Sequence, residues 1–168
     1  MEAAADLGDA HRRALERLYA AAAINAAFPS RLRLPGPGVS RISFAVEPTM
    51  FHAGGAAHGT IYFKMLDDAA FYAANSTVAE HFLLTTQFNL VLTRPVNEGE
   101  FVAQGRWVSG RRRVLIAEAR LVDADGEEVA RGTGTFMRSR IALAGLAGWA
   151  DASDGIIGSA SAPPAGGD

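Results

Sequence analysis

Residues 58–75 read HGTIYFKMLDDAAFYAAN, and this stretch decides the fold of the 168-residue chain. After Gly59 it contains neither glycine nor proline, and most of its side chains are apolar. This composition predicts one helix of about five turns over residues 59–76. A long apolar helix needs a sheet to pack against, so the surrounding sequence is expected to supply strands that cover it.

Five β-strands are predicted around this helix. Residues 39–46 alternate polar and apolar side chains, and four later runs have the same strand-like composition. Asn97-Glu98-Gly99 and Asp125-Gly126 are typical of tight turns, whereas residues 35–38 are predicted as a loop. Strands joined by short turns are antiparallel neighbours, so the later strands are expected to form a meander over residues 82–93, 100–109, 113–122 and 128–138. The predicted fold class is α+β, a five-stranded antiparallel sheet wrapped around one long central helix.

The segments on either side of this domain are predicted to be accessory. Residues 1–30 contain a helix, expected over 6–27 from its apolar spacing, and Pro29 ends it. Residues 31–140 form the domain itself. Residues 141–168 are a C-terminal extension that ends in a tail of small residues, expected to be disordered.

Composition narrows the classes of function. Hydrophobic residues make up 49% of the chain and charged residues 20%, as in soluble globular proteins. The absence of cysteine excludes disulfides, thiolate catalysis and cysteine zinc sites, and the four histidines lack zinc-ligand spacing. A net charge of −2 argues against a nucleic-acid binder. An acidic start without an apolar core segment, and no apolar run of about 20 residues, favour a cytoplasmic protein without a membrane partner.

The start of the central helix carries the first candidate functional group. A helix N-terminus presents unpaired N–H groups and a partial positive charge. Gly59 has no side chain, so a carbonyl oxygen can approach its N–H closely. Such a donor suits an oxyanion that develops during acyl transfer.

Two carboxylates on the same apolar helix are the second candidates. Asp68 follows Lys64 by four residues, a spacing that permits an ion pair, so a solvated, non-catalytic role is expected for Asp68. Asp67 lies beside Phe63 and Ala70, on a more apolar side, where its pKa can be raised toward that of a general base. Asp67 is therefore the preferred catalytic candidate.

The separation of these groups predicts a dimer. Gly59 and Asp67 are eight residues apart, which is about 12 Å along one helix. One reacting carbon cannot lie within reach of both. If the two groups serve one reaction, they must come from different subunits of a homodimer, and two such dimers can pair further into a tetramer.

The segment His52–Asp67 resembles a known enzyme family. His58-Gly59, the glycine three residues before that histidine, and Asp67 nine residues after it match the pattern of hot-dog thioesterases of the phenylacetate-degradation (PaaI-like) type, which are related to 4-hydroxybenzoyl-CoA thioesterases. The likeness extends over residues 39–138 through Thr86-Gln87-Phe88-Asn89-Leu90 and the glycine-rich segment near 132–136. It implies a hot-dog fold.

The resemblance also implies a reaction and roles for residues. The Gly59 N–H would polarise the carbonyl of an acyl-CoA thioester, and Asp67 of the partner subunit would act as general base or as nucleophile. His58 would shape the helix entrance, and its alternative role is purely structural. His52 stands where the family commonly has Asn or Gln to orient the carbonyl or water. No separate cofactor is implied, because coenzyme A is part of the substrate.

Two further positions depart from the family pattern. Thr60 replaces a second glycine, which narrows the helix entrance, and Phe71 stands where some members have Ser or Thr to hold the water. These departures keep two alternatives open. One is a dehydratase or hydratase on the same fold, and the other is a non-catalytic acyl-CoA-binding protein.

A basic turn provides the candidate coenzyme A contact. Gly110, Arg111, Arg112 and Arg113 resemble the Gly-Arg segment near which the nucleotide end of coenzyme A docks in the family. The planar guanidinium fork suits phosphate because it makes bidentate contacts. A solvated turn without a ligand is an almost equal alternative for these residues.

Overall fold

The computed structural model describes residues 3–150. In chain order the helices and strands are α1 (Gly8–Ala21), β1 (Arg31–Gly36), β2 (Val39–Val46), α2 (Gly59–Asn75), β3 (His81–Leu92), β4 (Gly99–Ser109), β5 (Val114–Val122) and β6 (Glu128–Ala142). The tail predicted over residues 151–168 lies outside the described residues. No helix within the described range is long and apolar enough to cross a membrane.

The strands form one antiparallel sheet in the order β1-β2-β4-β5-β6-β3, and α2 packs against it. This arrangement confirms the predicted α+β fold with a long central helix. The sheet has six strands instead of the predicted five. The additional strand is β1, which forms a hairpin with β2 around Gly38, whose φ is +70°. Pro35 and Gly36 looked like loop residues, but Pro35 is tolerated in β1 because edge strands need not donate every N–H to a neighbour.

The predicted meander of the last four strands is wrong for β3. Strand β3 pairs with β6, and β4 lies between β2 and β5. The short connection from β3 to β4 is therefore a crossing rather than a hairpin turn. Val96 in this connection is buried, and its carbonyl accepts a hydrogen bond of 2.7 Å from the Ala57 N–H, which ties the crossing to the loop before α2.

Small residues bring α2 unusually close to the sheet. The Ser40 hydroxyl donates a hydrogen bond of 2.6 Å to the Ala69 carbonyl in the middle of the helix. A Cβ at Gly105 would lie 2.1 Å from the same carbonyl oxygen, so only glycine fits there. This close approach fixes the height of α2 above β4 and thereby the position of the neighbouring Asp67.

The N-terminal helix and the C-terminal extension pack on each other. Helix α1 is shorter than the predicted 6–27 because Ala22 adopts an extended conformation, after which residues 23–26 form a 3₁₀ turn. A guanidinium nitrogen of Arg17 donates a hydrogen bond of 2.8 Å to the Trp149 carbonyl, and the Trp149 ring packs edge-on against His11. The apolar stretch after residue 140 therefore covers α1.

Candidate functional site

The first turn of α2 is capped so that one N–H stays free. His58 is the N-cap residue, and its ring Nδ1 accepts a hydrogen bond of 3.2 Å from the Thr60 N–H. The carbonyl of His58 accepts from the Ile61 N–H at 2.9 Å. Among the residues that the structure describes, no acceptor pairs with the Gly59 N–H. The predicted donor is thus available, and the partial positive charge of the helix N-terminus favours an oxyanion beside it.

The loop before α2 holds His52 by a local contact. Its ring Nδ1 accepts a hydrogen bond of 2.9 Å from the Gly54 N–H, and Gly55 completes the turn with a φ of +79°. The His52 side chain is exposed. With Nδ1 acting as acceptor, the other ring nitrogen carries the proton of the neutral imidazole and remains able to donate. Within residues 3–150, no hydrogen bond connects His52 to Gly59 or Asp67.

Asp67 is held by a hydroxyl from β3. The Thr85 Oγ1 lies 3.0 Å from one carboxylate oxygen of Asp67 and 3.3 Å from the other. Burial raises the pKa of Asp67 to about 6, against the lowering effect of the Thr85 hydrogen bond, and the charge of Asp68 raises it further. A carboxyl group with this pKa is largely ionised at neutral pH and still basic enough to accept a proton.

Asp68 has a different environment. Its carboxylate pairs with the Lys64 ammonium at 2.6 Å, which confirms the predicted ion pair. The same ammonium also donates to the Asn25 side chain at 2.7 Å, so the pair belongs to a contact between α2 and the segment after α1. The prediction of a solvated Asp68 is wrong, because only 25% of its side chain is exposed. Burial raises the pKa of Asp68, and Lys64 opposes this rise.

One face of α2 and the strand β3 meet in three successive contacts. Asp67 bonds to Thr85, the rings of Phe63 and Phe88 lie edge-to-face with centroids 5.6 Å apart, and a Cβ at Gly59 would lie 4.0 Å from a methyl group of Leu92. Phe63 remains 44% exposed. Gly59 and Asp67 therefore both face β3 from α2, and they lie at opposite ends of an apolar strip.

The basic turn lies between β4 and β5. Gly110 has a φ of +90°, and its carbonyl accepts a hydrogen bond of 3.0 Å from the Trp107 indole. The side chains of Arg111, Arg112 and Arg113 are exposed, and Arg111 donates to the Ala3 carbonyl. In the described part of the chain, no hydrogen bond or ion pair links Arg112 or Arg113 to the α2 site.

Comparison with known proteins identifies the domain. A family model described as Thioesterase superfamily matches residues 54–130, which include the loop before α2, all of α2 and most of the sheet. Over these residues the chain is similar to members of the thioesterase superfamily. The superfamily supports thioester hydrolysis as the general activity of the domain, with a fold of the hot-dog type.

Individual relatives agree with this assignment. A protein of Saccharolobus solfataricus that is provisionally described as an esterase is 25% identical over 100 residues, which are 60% of this chain and 67% of the relative. A thioesterase family protein from Silicibacter pomeroyi is 26% identical, with a TM-score of 0.67 over 74% of this chain and 97% of that one. The PaaI protein from the phenylacetic acid degradation operon of E. coli is 18% identical and shares the fold, with a TM-score of 0.70 over 78% of this chain and 96% of its own.

Thr85 is a residue of the candidate site that sequence reasoning missed. The position that holds Ser or Thr in some members is Phe71, and here Phe71 is buried among Tyr72, Phe82 and Phe136. The hydroxyl that contacts the carboxylate comes from β3 instead. A bulge between Thr85 and Gln87 reverses the alternation of side chains along β3, so that both Thr85 and Phe88 contact α2 although they are three residues apart.

Proposed function

We propose that this domain hydrolyses acyl-CoA thioesters at two equivalent sites of a homodimer. Each site combines the Gly59 N–H of one subunit with the carboxylate of Asp67 of the partner subunit. The observation that carries the proposal is the free Gly59 N–H, placed on the same strip of α2 as a half-buried carboxylate whose pKa is raised to about 6.

The free edge of the sheet supports the dimer. Strand β3 is 12 residues long and lies at the end of the strand order. A long unpaired edge strand invites pairing with another chain. Its side chains Leu84, Val91 and Leu92 are each about half exposed, which is costly for apolar groups in water.

Pairing of two β3 edges would also bring Asp67 of one subunit close to Gly59 of the other. Asp67 lies at the Thr85 end of β3, and Gly59 lies at the Leu92 end. An antiparallel pairing about a twofold axis near Phe88 would place each Thr85 end beside the partner's Leu92 end. The carboxylate of one subunit would then face the helix entrance of the other.

The chemistry follows from the two groups. The thioester carbonyl oxygen accepts a hydrogen bond from the Gly59 N–H, and this bond strengthens as negative charge develops on that oxygen. As a general base, Asp67 removes a proton from water as the water oxygen attacks the carbonyl carbon; collapse of the tetrahedral intermediate then breaks the C–S bond, and the departing thiolate of coenzyme A takes up that proton. As a nucleophile, the Asp67 carboxylate attacks the carbonyl carbon and expels the thiolate, which forms an anhydride. Water then cleaves the anhydride, which restores the carboxylate and supplies the proton that the thiolate takes up.

The remaining candidates have supporting roles in this proposal. His58 keeps the first turn of α2 in place through its cap, so the Gly59 N–H points outward. His52 offers a ring N–H from the neighbouring loop to the carbonyl or water. Gly110 gives the β4–β5 turn its shape, and the exposed Arg111, Arg112 and Arg113 would contact the phosphates of coenzyme A.

A proline substitution tests the donor directly. Gly59→Pro deletes the N–H at the first helical position, where proline is favoured, and the extended His58 suits a following proline. The matched control Gly59→Ala keeps the N–H, and its methyl group has room. With thiol release from a panel of acyl-CoAs, we expect Gly59→Pro to lower kcat by roughly a hundredfold or more, and Gly59→Ala to lower it far less.

Other results would reject this assignment. Equal activity of Gly59→Pro and Gly59→Ala would show that the N–H has no catalytic role. Tight binding of the same acyl-CoAs without thiol release would identify the alternative, a non-catalytic acyl-CoA-binding protein, to which the departures from the family pattern at His52, Thr60 and Phe71 point. Release of water from a hydroxyacyl-CoA would identify a dehydratase.

A further inference from the structure

A transverse row of arginines crosses the face of the sheet opposite to α2. The register places Arg41 of β2 beside Gln104 of β4, Gln104 beside Arg120 of β5, and Arg120 beside Arg131 of β6. Side chains that are paired across antiparallel strands project from the same face. These arginines are exposed, whereas the residues between them along each strand face the core. Arg120 and Arg131 are directly opposed, and like charges in such positions destabilise a sheet unless nearby anions compensate them.

The row forms the floor of a groove that has an excess of positive charge. The groove has a volume of about 510 Å³, within the range of small-molecule sites. Of its four arginines, Arg106 pairs with Glu118 at 2.6 Å and Arg131 pairs with Glu128 at 2.5 Å. Arg41 and Arg120 have no ion pair with any described residue, which leaves two positive charges in the groove of a chain whose net charge is −2.

The two guanidinium groups without an ion pair flank the side-chain amide of Gln104. The Arg120 Nε donates a hydrogen bond of 3.0 Å to the Gln104 Oε1. The Gln104 oxygen is thereby occupied, and its NH₂ group has no acceptor among the described residues. Arg41 and Arg120 lie two strand spacings apart, about 10 Å between their Cα atoms, so their long side chains can converge on one ligand above Gln104.

We propose that this groove binds a diphosphate group, held by Arg41 and Arg120 from either side and by the Gln104 amide between them. Guanidinium groups bind phosphate oxygens through paired, charge-assisted hydrogen bonds, and two of them match the two phosphates of a phosphoanhydride. The diphosphate can be free inorganic pyrophosphate or part of a nucleotide such as ADP. The inference does not depend on the proposed thioesterase activity, because the groove lies on the other face of the sheet from α2.

Calorimetric titration with pyrophosphate and with ADP tests the proposal. The variant Arg41→Gln/Arg120→Gln removes the two arginine charges of the groove that lack an ion pair, and the control Arg13→Gln/Arg140→Gln removes two exposed charges elsewhere. We expect wild type and control to bind pyrophosphate with equal affinity, and the groove variant to bind at least about tenfold more weakly. Tighter binding of ADP than of pyrophosphate would identify the nucleotide as the source of the diphosphate, and equal binding would indicate recognition of the diphosphate alone.

Three results would overturn the proposal. The first is pyrophosphate binding by the groove variant that equals that of wild type. The second is no binding by any of the proteins at about 10 mM ligand. The third is a change in the oligomeric mass of the groove variant in sedimentation experiments, without pyrophosphate binding by wild type. That result would show that the groove contacts a second copy of the chain. All four substituted arginines are on the surface, so each variant is expected to fold. Far-ultraviolet circular dichroism checks this.

Discussion

Replacement of Asp67 by asparagine should stabilise the folded protein while it removes activity. The pKa of Asp67 is about 6 in the folded state against 3.8 for an unperturbed carboxyl, mainly because the group is buried. Each pKa unit corresponds to about 1.4 kcal/mol, so ionised Asp67 costs up to roughly 3 kcal/mol of folding free energy at pH 8. Partial exposure of the carboxylate reduces this figure, and about 1–3 kcal/mol is the expected range.

The pH dependence of this effect has a defined sign. Because the pKa of Asp67 is raised on folding, its favourable contribution is complete below the unfolded value near 4 and is lost as the pH rises through about 6. Asparagine has nearly the same shape, can still accept the Thr85 hydrogen bond, and does not ionise. Asp67→Asn and wild type should therefore be about equally stable below pH 4 and differ fully above pH 7.

Urea unfolding at fixed protein concentration between about pH 4 and pH 8 measures this difference. At pH 8 we expect the variant to have the higher unfolding free energy, with a Tm higher by several degrees. Thiol release should fall roughly a hundredfold or more in the same protein. A variant that is less stable than wild type at pH 8, or a difference that does not change with pH, would refute the assignment of a costly buried carboxylate to Asp67.

Three further substitutions test neighbouring contacts. Thr85→Val removes the hydroxyl that lowers the pKa of Asp67, so the acidic limb of the kcat profile should move to higher pH, and an unmoved limb would mean that Thr85 does not orient the carboxylate. Asp68→Asn removes a charge that raises the pKa of Asp67, so the acidic limb should move to lower pH. On the plateau, kcat should change far less than in Asp67→Asn. Equal losses of kcat in the two variants would contradict the assigned roles. Gly105→Ala places a methyl group against the backbone of α2 and should lower the unfolding free energy by about 3 kcal/mol or more. In the control Gly36→Ala the added methyl group meets open space. Similar urea midpoints for the two variants would contradict the close packing of α2.

The features that depend on local sequence periodicity could be predicted. The apolar run after Gly59 defined α2 to within one residue, and the four-residue spacing of Lys64 and Asp68 identified their ion pair. The apolar neighbours of Asp67 similarly indicated a raised pKa. Each of these inferences needs only the geometry of one helix, which is contained in a short segment.

The features that depend on contacts between distant segments could not be predicted. The position of β3 at the sheet edge is decided by its pairing with β6, about 50 residues later, which a turn signal after β3 does not reveal. The bulge after Thr85 places both the Thr85 hydroxyl and the Phe88 ring against α2, and a bulge depends on the partner strand β6. The predicted loop over residues 35–38 includes the last two residues of β1, because Pro35 and Gly36 are common in turns although an edge strand accepts both.

Subunit complementation measures most directly whether each site is shared between two chains. Gly59→Pro and Asp67→Asn homodimers should each be nearly inactive, but a mixed dimer retains one site with an intact Gly59 N–H and the intact carboxylate of the other subunit. After unfolding and refolding of an equal mixture, we expect thiol release to recover to about a quarter of the wild-type rate, because half of the dimers are mixed and each has one working site. No recovery in a mixture that contains mixed dimers would place both groups of a site in one chain and contradict the proposed active site.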